Sequence, residues 1–475
     1  MHHLTNKTKL ETMRTRWIIC LAIMILAGIV GSFVPEQEGL WELSPNVNTA
    51  DLAWLITSTI FVLMMTPGLS FFYGGMVRKK NIISTILQSI IAMGIVSVLW
   101  VVICFSLAFG DDIGGVIGNP CTYFMFNNVG GAATDTFSTK MGLTIPLGLY
   151  AIFQMKFAII TPSLITGSFA ERVRFSAYML FMVLFTIVVY CPLAHCTWHP
   201  DGLFNQMHVK DFAGGIVVHA SSGIAALVGA IFLGKRHESK GEPANVPYVI
   251  LGASLLWLGW FGFNGGSSLA ANGQAVKAFL NTNTAAATAM LVWIFFDCVM
   301  GRKPSAMAAA VGGVVGLVAI TPSAGWVSVG ESILIATITT IVCNLACHWK
   351  NHTSVDDALD VFPTHGVGGI TGTILTGVFV YKYEPELAEQ GVTHAEFFLN
   401  HVIAVVIVFV YTAVMTYALY WITNKIVPMR VSENDEKLGL DRSQHDEHYG
   451  RPRELAEYYD DEQLQEMYDR EHAGK

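Results

Sequence analysis

Charge is scarce in this sequence. Only 13% of its 475 residues are Asp, Glu, Lys or Arg, against roughly 25% in ordinary soluble domains. That shortage excludes a water-exposed globular fold for most of the chain. Period-two alternation of apolar and polar residues is also missing, which argues against a membrane β-barrel. The eight cysteines form no zinc or redox spacing, and Cys343-x3-Cys347-His348, at a helix end, reads as packing rather than ligation. A disulfide from Cys121 to Cys191 or Cys196 has no support from spacing. No basic excess exists either. The formal net charge is −8, which argues against nucleic acid and against an anionic membrane surface as ligand. No cofactor and no metal are expected.

What is present is apolar length. Hydrophobic residues make up 53% of the chain, and runs of about 20 recur, enough to cross a hydrocarbon core about 30 Å thick. The fold class read from this is an all-α polytopic membrane protein. Spans are expected near 51–75, 82–109, 145–169, 175–196, 211–234, 246–268, 276–300, 304–321, 328–347, 362–382 and 396–424. An earlier run, Trp17 to Val34, follows Lys7, Lys9, Arg14 and Arg16. Residues 1–34 therefore read as a signal-like or anchor segment, although Ala27-Gly-Ile-Val-Gly-Ser32 fits a cleavage site poorly. Eleven transmembrane helices follow, or twelve spans if the first run is kept.

Loop charge sets the orientation. Alternate loops carry Arg78-Lys79-Lys80, Arg172 and Arg174, then Lys235, Arg236 and Lys240, then Arg302-Lys303, then Lys350. The intervening loops carry Lys140, Lys210, Lys277 or Lys382 singly. The positive-inside rule makes the first set cytoplasmic. The N-terminus of the mature chain then lies outside and the tail after the last helix lies in the cytoplasm.

Two stretches repeat. Gly68-Leu-Ser-Phe-Phe72-Tyr-Gly74-Gly75 matches Gly259-Trp-Phe-Gly-Phe263-Asn-Gly265-Gly266 at Gly, Phe, Gly and Gly. His219-x-x-x-Gly223-Ile224 likewise matches His365-x-x-x-Gly369-Ile370. The members of each pair fall on spans of opposite direction. That predicts a 5+5 inverted repeat with an extra C-terminal helix: a transmembrane domain over 50–424, with halves of about 50–235 and 245–382 and a last helix at 396–424. Inverted repeats place a substrate path at their interface near mid-membrane. His219 sits eight residues into its span, about 12 Å along it at helical rise. His365 reaches the same depth only if the backbone over Asp360–Thr364 enters the membrane as a broken helix, which is tolerated where protein covers it. A single buried His is usually a satisfied core group. Two at equivalent places in a repeat point instead to function.

The last fifty residues differ. From Ile426 to Lys475 there are 7 Lys and Arg against 14 Asp and Glu, a net −7 of the chain's −8. An acidic cytoplasmic tail, 425–475, is the expectation, either solvated or serving as a docking surface.

Several long motifs resemble one family. They are Thr66-Pro67-Gly68 through Phe72-Tyr73-Gly74-Gly75-x-x-Arg78-Lys79-Lys80-Asn81; Asp211-Phe-Ala-Gly-Gly-Ile-Val-Val-His219; Gly259-Trp260-Phe-Gly-Phe263-Asn-Gly-Gly-Ser267; and Asp360-Val-Phe-Pro-Thr-His365-Gly. Together, over about residues 50 to 450, they resemble the ammonium transporter (Amt/Mep/Rh) family on its Amt side. The resemblance implies a non-enzymatic transporter of ammonium in the cell membrane, homotrimeric, with one pore per subunit. It implies that Trp198 forms the aromatic wall of an external ammonium site with Ser267 as acceptor. Phe157 and Phe263 then form a paired phenyl gate, His219 and His365 line the pore and relay protons, and Trp260 stands beside the conduit. Asp211 supports the site without touching the ligand, and Asp360 supports the approach to His365.

Two departures stand out. Lys156 lies within a span beside Phe157 and should point about 100° away from it, toward a subunit interface, without a nameable partner. Gly439-Leu-Asp441-x-x-x-His445 resembles the family's tail motif, yet Asp446 stands where glycine is usual, which bears on tail shape and on docking of a PII-type signalling protein. Competing readings are a haem protein, which would need four deep histidines for two bis-His haems, an ammonium sensor, and a neutral-gas (NH3 or CO2) channel.

Overall fold

The computed structural model describes residues 2–35, 39–238 and 241–450; the tail beyond 450 lies outside them. The chain is mostly helical, with a single two-stranded hairpin, Asp112–Ile113 against Ile117–Gly118, among the described residues. The helices, in order, are α1 (His2–Ser32), α2 (Thr49–Met76), α3 (Lys79–Phe109), α4 (Leu147–Ile165) and α5 (Phe175–Phe185, Thr186–Tyr190 and Cys191–Trp198 run on as one). Then come α6 (Gly215–Leu233), α7 (Val246–Gly266), α8 (Gly273–Val299), α9 (Ala306–Ile320) and α10 (Val329–Lys350). The series ends with α11 (Phe362–Gly366 continuing into Val367–Phe379) and α12 (His394–Ile426), followed by two short tail helices, Glu433–Leu438 and Leu440–His445.

Among the described residues, ten helices are long and apolar enough to cross a membrane, α1 among them. Nine fall on expected spans. The spans expected at 304–321 and 362–382 correspond to α9, only 15 residues long, and to α11, which begins in a π-helical turn. Caps explain where several helices start. Asn48, Asn245, Asn272, Ser305 and Thr393 accept N–H groups of the first turn, and Ser328 forms a reciprocal capping box with Glu331. Each satisfies a donor the helix itself leaves unpaired.

Large apolar side chains face outward along the spans, for example Ile56 and Ile60 on α2, Phe295 on α8, and Val406, Val410 and Val414 on α12. In water such a surface would be strongly unfavourable; in hydrocarbon it is matched to its solvent. The exposed apolar run Trp17–Val30 on α1 has the same character.

The repeat is visible in the packing. α2 and α7 lie antiparallel with glycines at their seam. A Cβ on Gly68 would stand 3.3 Å from the Gly252 oxygen, and one on Gly259 would stand 2.7 Å from the Phe61 oxygen. The register that lays Gly68 on Gly259 also lays Phe61 on Gly252, so the two contacts are one contact seen twice across a two-fold axis. α6 and α11 obey the same rule. Gly223 packs on Gly366, and a Cβ on Gly369 would stand 2.8 Å from the Ala220 nitrogen. Counterpart helices that meet antiparallel make the repeat inverted.

One end of the bundle carries a buried charge network. Glu171, between α4 and α5, pairs with Arg78 and Arg236, each at 2.9 Å, and Arg236 pairs with Asp356 at 2.8 Å. Burial alone would raise the Glu171 and Asp356 carboxyls. The guanidiniums outweigh it, holding Glu171 below its ordinary value and Asp356 at about 2. The tail folds onto this end. Asp441 accepts from the Ile83 and Ser84 amides at the start of α3 (3.0 and 2.8 Å), Leu440 N–H donates to Asn81 Oδ1 at 2.8 Å, and His445 meets Ser84 Oγ at 3.1 Å. Asp446 has φ of 56°, the left-handed conformation that favours glycine and that Asp tolerates better than most residues.

Candidate functional site

Four helices bring the site together: α4, α5, α6 and α7, with α11 closing it across the two-fold. The local folding begins at Asp211. Its carboxylate accepts from the Gly214, Gly215 and Ile216 amides at 2.8, 2.7 and 2.8 Å, capping the turn from which α6 starts. Gly214, with φ of 115°, makes that turn without strain. The helix then opens as a π-helical turn over Gly215–Ala220, which carries His219. α11 opens the same way, with a π-helical turn over Phe362–Gly366 carrying His365. Such turns often sit at functional positions. Here one appears at the same place in both halves.

His365 is therefore as deep as His219. Asp360 (φ 56°) turns the backbone inward, and its oxygen accepts from Thr364 N–H at 3.0 Å and Thr364 Oγ at 2.7 Å. The two imidazoles lie with Nδ1 atoms 3.3 Å apart and rings 27° from parallel. Neither nitrogen can accept unless the other donates, so the pair shares one N–H and leaves one Nε2 as donor and the other as acceptor. The His219 Nε2 is buried without a hydrogen-bond partner among the described residues. Around the pair, a narrow cavity is walled by Met65, Leu69, Ile160, Leu164, Leu256 and Val314, an apolar bore broken by imidazole.

Aromatic rings continue the line away from the tail. Trp260 stacks on His219 at 5.2 Å and 19° and is held by its Nε1–H donating to Thr321 Oγ1 at 2.9 Å. Phe263 lies 6.0 Å from His219 and stacks on Phe157 at 4.2 Å. Phe157 in turn meets Trp198 edge-on at 5.9 Å. Trp198 is half-buried at the far end of this line, fixed by its indole N–H donating to the Asp211 backbone oxygen at 3.0 Å. Ser267 ends α7 beside Phe263, and its hydroxyl donates to the Phe263 oxygen at 2.7 Å. The proton is thus used internally, and the oxygen lone pairs remain for a donor.

Each residue singled out from sequence can now be placed. Trp198, Phe157, Phe263, His219, Trp260 and His365 form one continuous file. Asp211 lies behind it, holding backbone. The Asp360 side chain turns away and pairs with Lys350 Nζ at 2.6 Å. Asp357 is the residue missing from the sequence reading. It is fully buried, and it accepts from Phe362 N–H at 2.7 Å, as Asp211 does from Ile216. The signal was present as Asp-x7-His, which occurs before both histidines. Lys156 is buried, with Nζ 3.7 Å from Met155 Sδ and no carboxylate partner among the described residues.

Residues 53–449 match the model of the Ammonium Transporter Family. An ammonium transporter of Aquifex aeolicus is 41% identical over 430 residues, covering 90% of this chain and 97% of the relative. One of Bacillus subtilis is 40% identical over 405 residues, covering 84% and 97%. Among solved structures, Saccharomyces cerevisiae Mep2 superposes with a TM-score of 0.75 at 32% identity, covering 83% of this chain and 90% of Mep2. A structure described as a sensor Amt protein gives 0.76 at 28% identity, covering 84% and 98%. The chain belongs to the ammonium transporter family.

Proposed function

We propose that this protein takes up ammonium at the mouth formed by Trp198 and Ser267, removes its proton, and passes ammonia between the stacked phenyl rings and along the His219–His365 pair. The observation that carries this reading is the histidine pair, hydrogen-bonded at 3.3 Å inside an apolar bore. An indole face stabilises a compact cation by roughly 0.5–2 kcal/mol, and a Ser oxygen offers N–H a directional acceptor. Neither offsets the idealised cost, on the order of 20 kcal/mol, of carrying a bare ion into low dielectric. The bore therefore favours the neutral amine. Imidazole titrates near neutrality, and a coupled pair can hand on the stripped proton.

The mouth at Trp198 faces outward and the tail end faces the cytoplasm, in keeping with the loop charges. The protein is a homotrimer of the cell (inner) membrane with one pore per subunit. The docked segment 427–449 offers a surface for a PII-type signalling protein. A sensing role is the second reading, favoured by the similarity to a sensor Amt protein and by the acidic tail.

Reconstitution tests this. In vesicles given an inward ammonium gradient, luminal ammonium assayed after quenching should rise faster than in protein-free vesicles. An unchanged rate, with ammonium still bound by calorimetry, would reject transport in favour of sensing.

A further inference from the structure

From sequence no metal is expected, yet the fold gathers three ligand-type side chains at the end of α5, outside the pore. Asp112 stands on the hairpin after α3, His195 lies in the last turn of α5, and His199 caps its end. One donor atom from each lies within 4.8 Å of the other two. The imidazoles stack at 4.3 Å and 14°, and Phe137 covers His199 at 5.5 Å. His195 is 0% and His199 3% exposed.

The hydrogen bonding of His195 is the decisive observation. Its Nδ1 lies 2.9 Å from the Ala108 oxygen, which can only accept, so Nδ1 holds a proton. Its Nε2 lies 2.9 Å from Asp112 Oδ1, a second acceptor. A neutral imidazole has one N–H. A lone pair therefore faces a carboxylate oxygen unless a positive charge lies between them. A ring tied to a carbonyl through one nitrogen, with the other aimed at a cation, is how histidine is presented to metals. A shared ion needs ligand bonds of about 2.0–2.2 Å, a span that the 2.9 Å between His195 Nε2 and Asp112 Oδ1 fits.

The remaining contacts complete the site. Asp112 Oδ1 also accepts from Gly115 N–H at 2.7 Å. His199 Nδ1 accepts from Asp201 N–H at 3.1 Å. Ligation through Nε2 shifts the His199 proton to Nδ1, which breaks the Asp201 N–H bond and requires Asp201 Oδ2, 3.9 Å away and paired with Lys140 Nζ at 2.6 Å, to close on it. Asp112 is exposed, which leaves one side of the site open to water.

We propose that Asp112, His195 and His199 bind one divalent ion of the zinc class, pinning the hairpin to the end of α5 beside Trp198. Two imidazoles and one carboxylate select zinc or copper(II) over calcium and magnesium, which prefer all-oxygen shells.

Full-length protein, purified in detergent and stripped with chelator, is titrated with zinc chloride by calorimetry, and bound zinc is counted by mass spectrometry. The expected result is one zinc per chain, with an X-ray absorption spectrum of two imidazoles plus oxygen. Affinity should fall at least about tenfold in both Asp112→Asn and His199→Gln, with thermal unfolding in chelator unchanged. Asp112 is on an exposed hairpin, so its variant decides the matter if His199→Gln fails to fold. Substoichiometric zinc in the unaltered protein would overturn the proposal and leave a proton as the charge between His195 and Asp112. Stoichiometric zinc bound equally well by Asp112→Asn would overturn it too.

Discussion

Asp211 and Asp357 do the same job in the two halves of the protein. Each stands eight residues before one of the paired histidines, and each accepts the amide five residues ahead: Ile216 N–H donates to Asp211 at 2.8 Å and Phe362 N–H donates to Asp357 at 2.7 Å. The imidazoles meet because two carboxylates hold the helix starts that carry them. Removing either leaves buried N–H groups unpaired, at about 1–3 kcal/mol each. Asp211→Ala, which orphans three amides, should lower the melting temperature more than Asp357→Ala, measured by fluorescence-detected unfolding in detergent. Both should reduce ammonium flux although neither carboxylate touches the file.

The glycine seam makes a steric prediction. A Cβ on Gly252 would overlap the Phe72 backbone nitrogen, and nothing in a helix backbone can yield there. Gly252→Ala should prise α2 from α7 and cost about 1–3 kcal/mol. Gly330→Ala, with nothing within 4 Å of the added carbon, should be neutral in the same unfolding assay.

At the mouth, recognition and passage should separate. Trp198→Leu removes the indole face and should raise half-saturating ammonium by about 2- to 30-fold, the equivalent of 0.5–2 kcal/mol. Ser267→Ala removes one acceptor and should raise it by about 2- to 10-fold. Maximal flux should hardly change in either variant. A fall in maximal flux with unchanged half-saturation would assign these residues to the gate.

Much of this was legible beforehand, for identifiable reasons. Spans and repeat show in sequence because lipid demands long apolar runs and an inverted duplication leaves Gly, Phe and His at fixed spacing. The depth of His365 was legible only conditionally, since it depends on the left-handed turn at Asp360 and the π-helical turn after it, which hydropathy does not register. Asp357 was overlooked because Asp360 begins the recognisable motif, though Asp-x7-His was there to be matched. The tail's docking was illegible: Asp441 bonds to amides of Ile83 and Ser84, more than 350 positions away. The Asp112–His195–His199 grouping joins two distant segments, and local spacing shows only the two histidines.

The tail should respond to pH. Burial, with Glu447 nearby adding to it against the Ile82, Ile83 and Ser84 amides, pushes the docked Asp441 carboxyl up to about 6, above its ordinary 3.8. Docking therefore takes up a proton. Its stability is greatest below the free value and is lost as pH rises through about 6. Amide exchange over 432–449 should be slower, after correction for intrinsic rate, at pH 5.5 than at pH 7.5. Asp441→Asn, which cannot ionise, should remove that difference and leave the opposing trend of the docked His445, whose imidazole burial holds below its ordinary value.

The most direct test of the proposed route is electrical. Proteoliposomes adsorbed on a solid-supported membrane are given an ammonium jump, and the transient current is compared between the unaltered protein and His219→Ala. A proton path through the histidine pair predicts a current in the former and its loss in the latter. An equal current in His219→Ala would contradict it, because charge would then cross without the residue that joins the two halves of the pore.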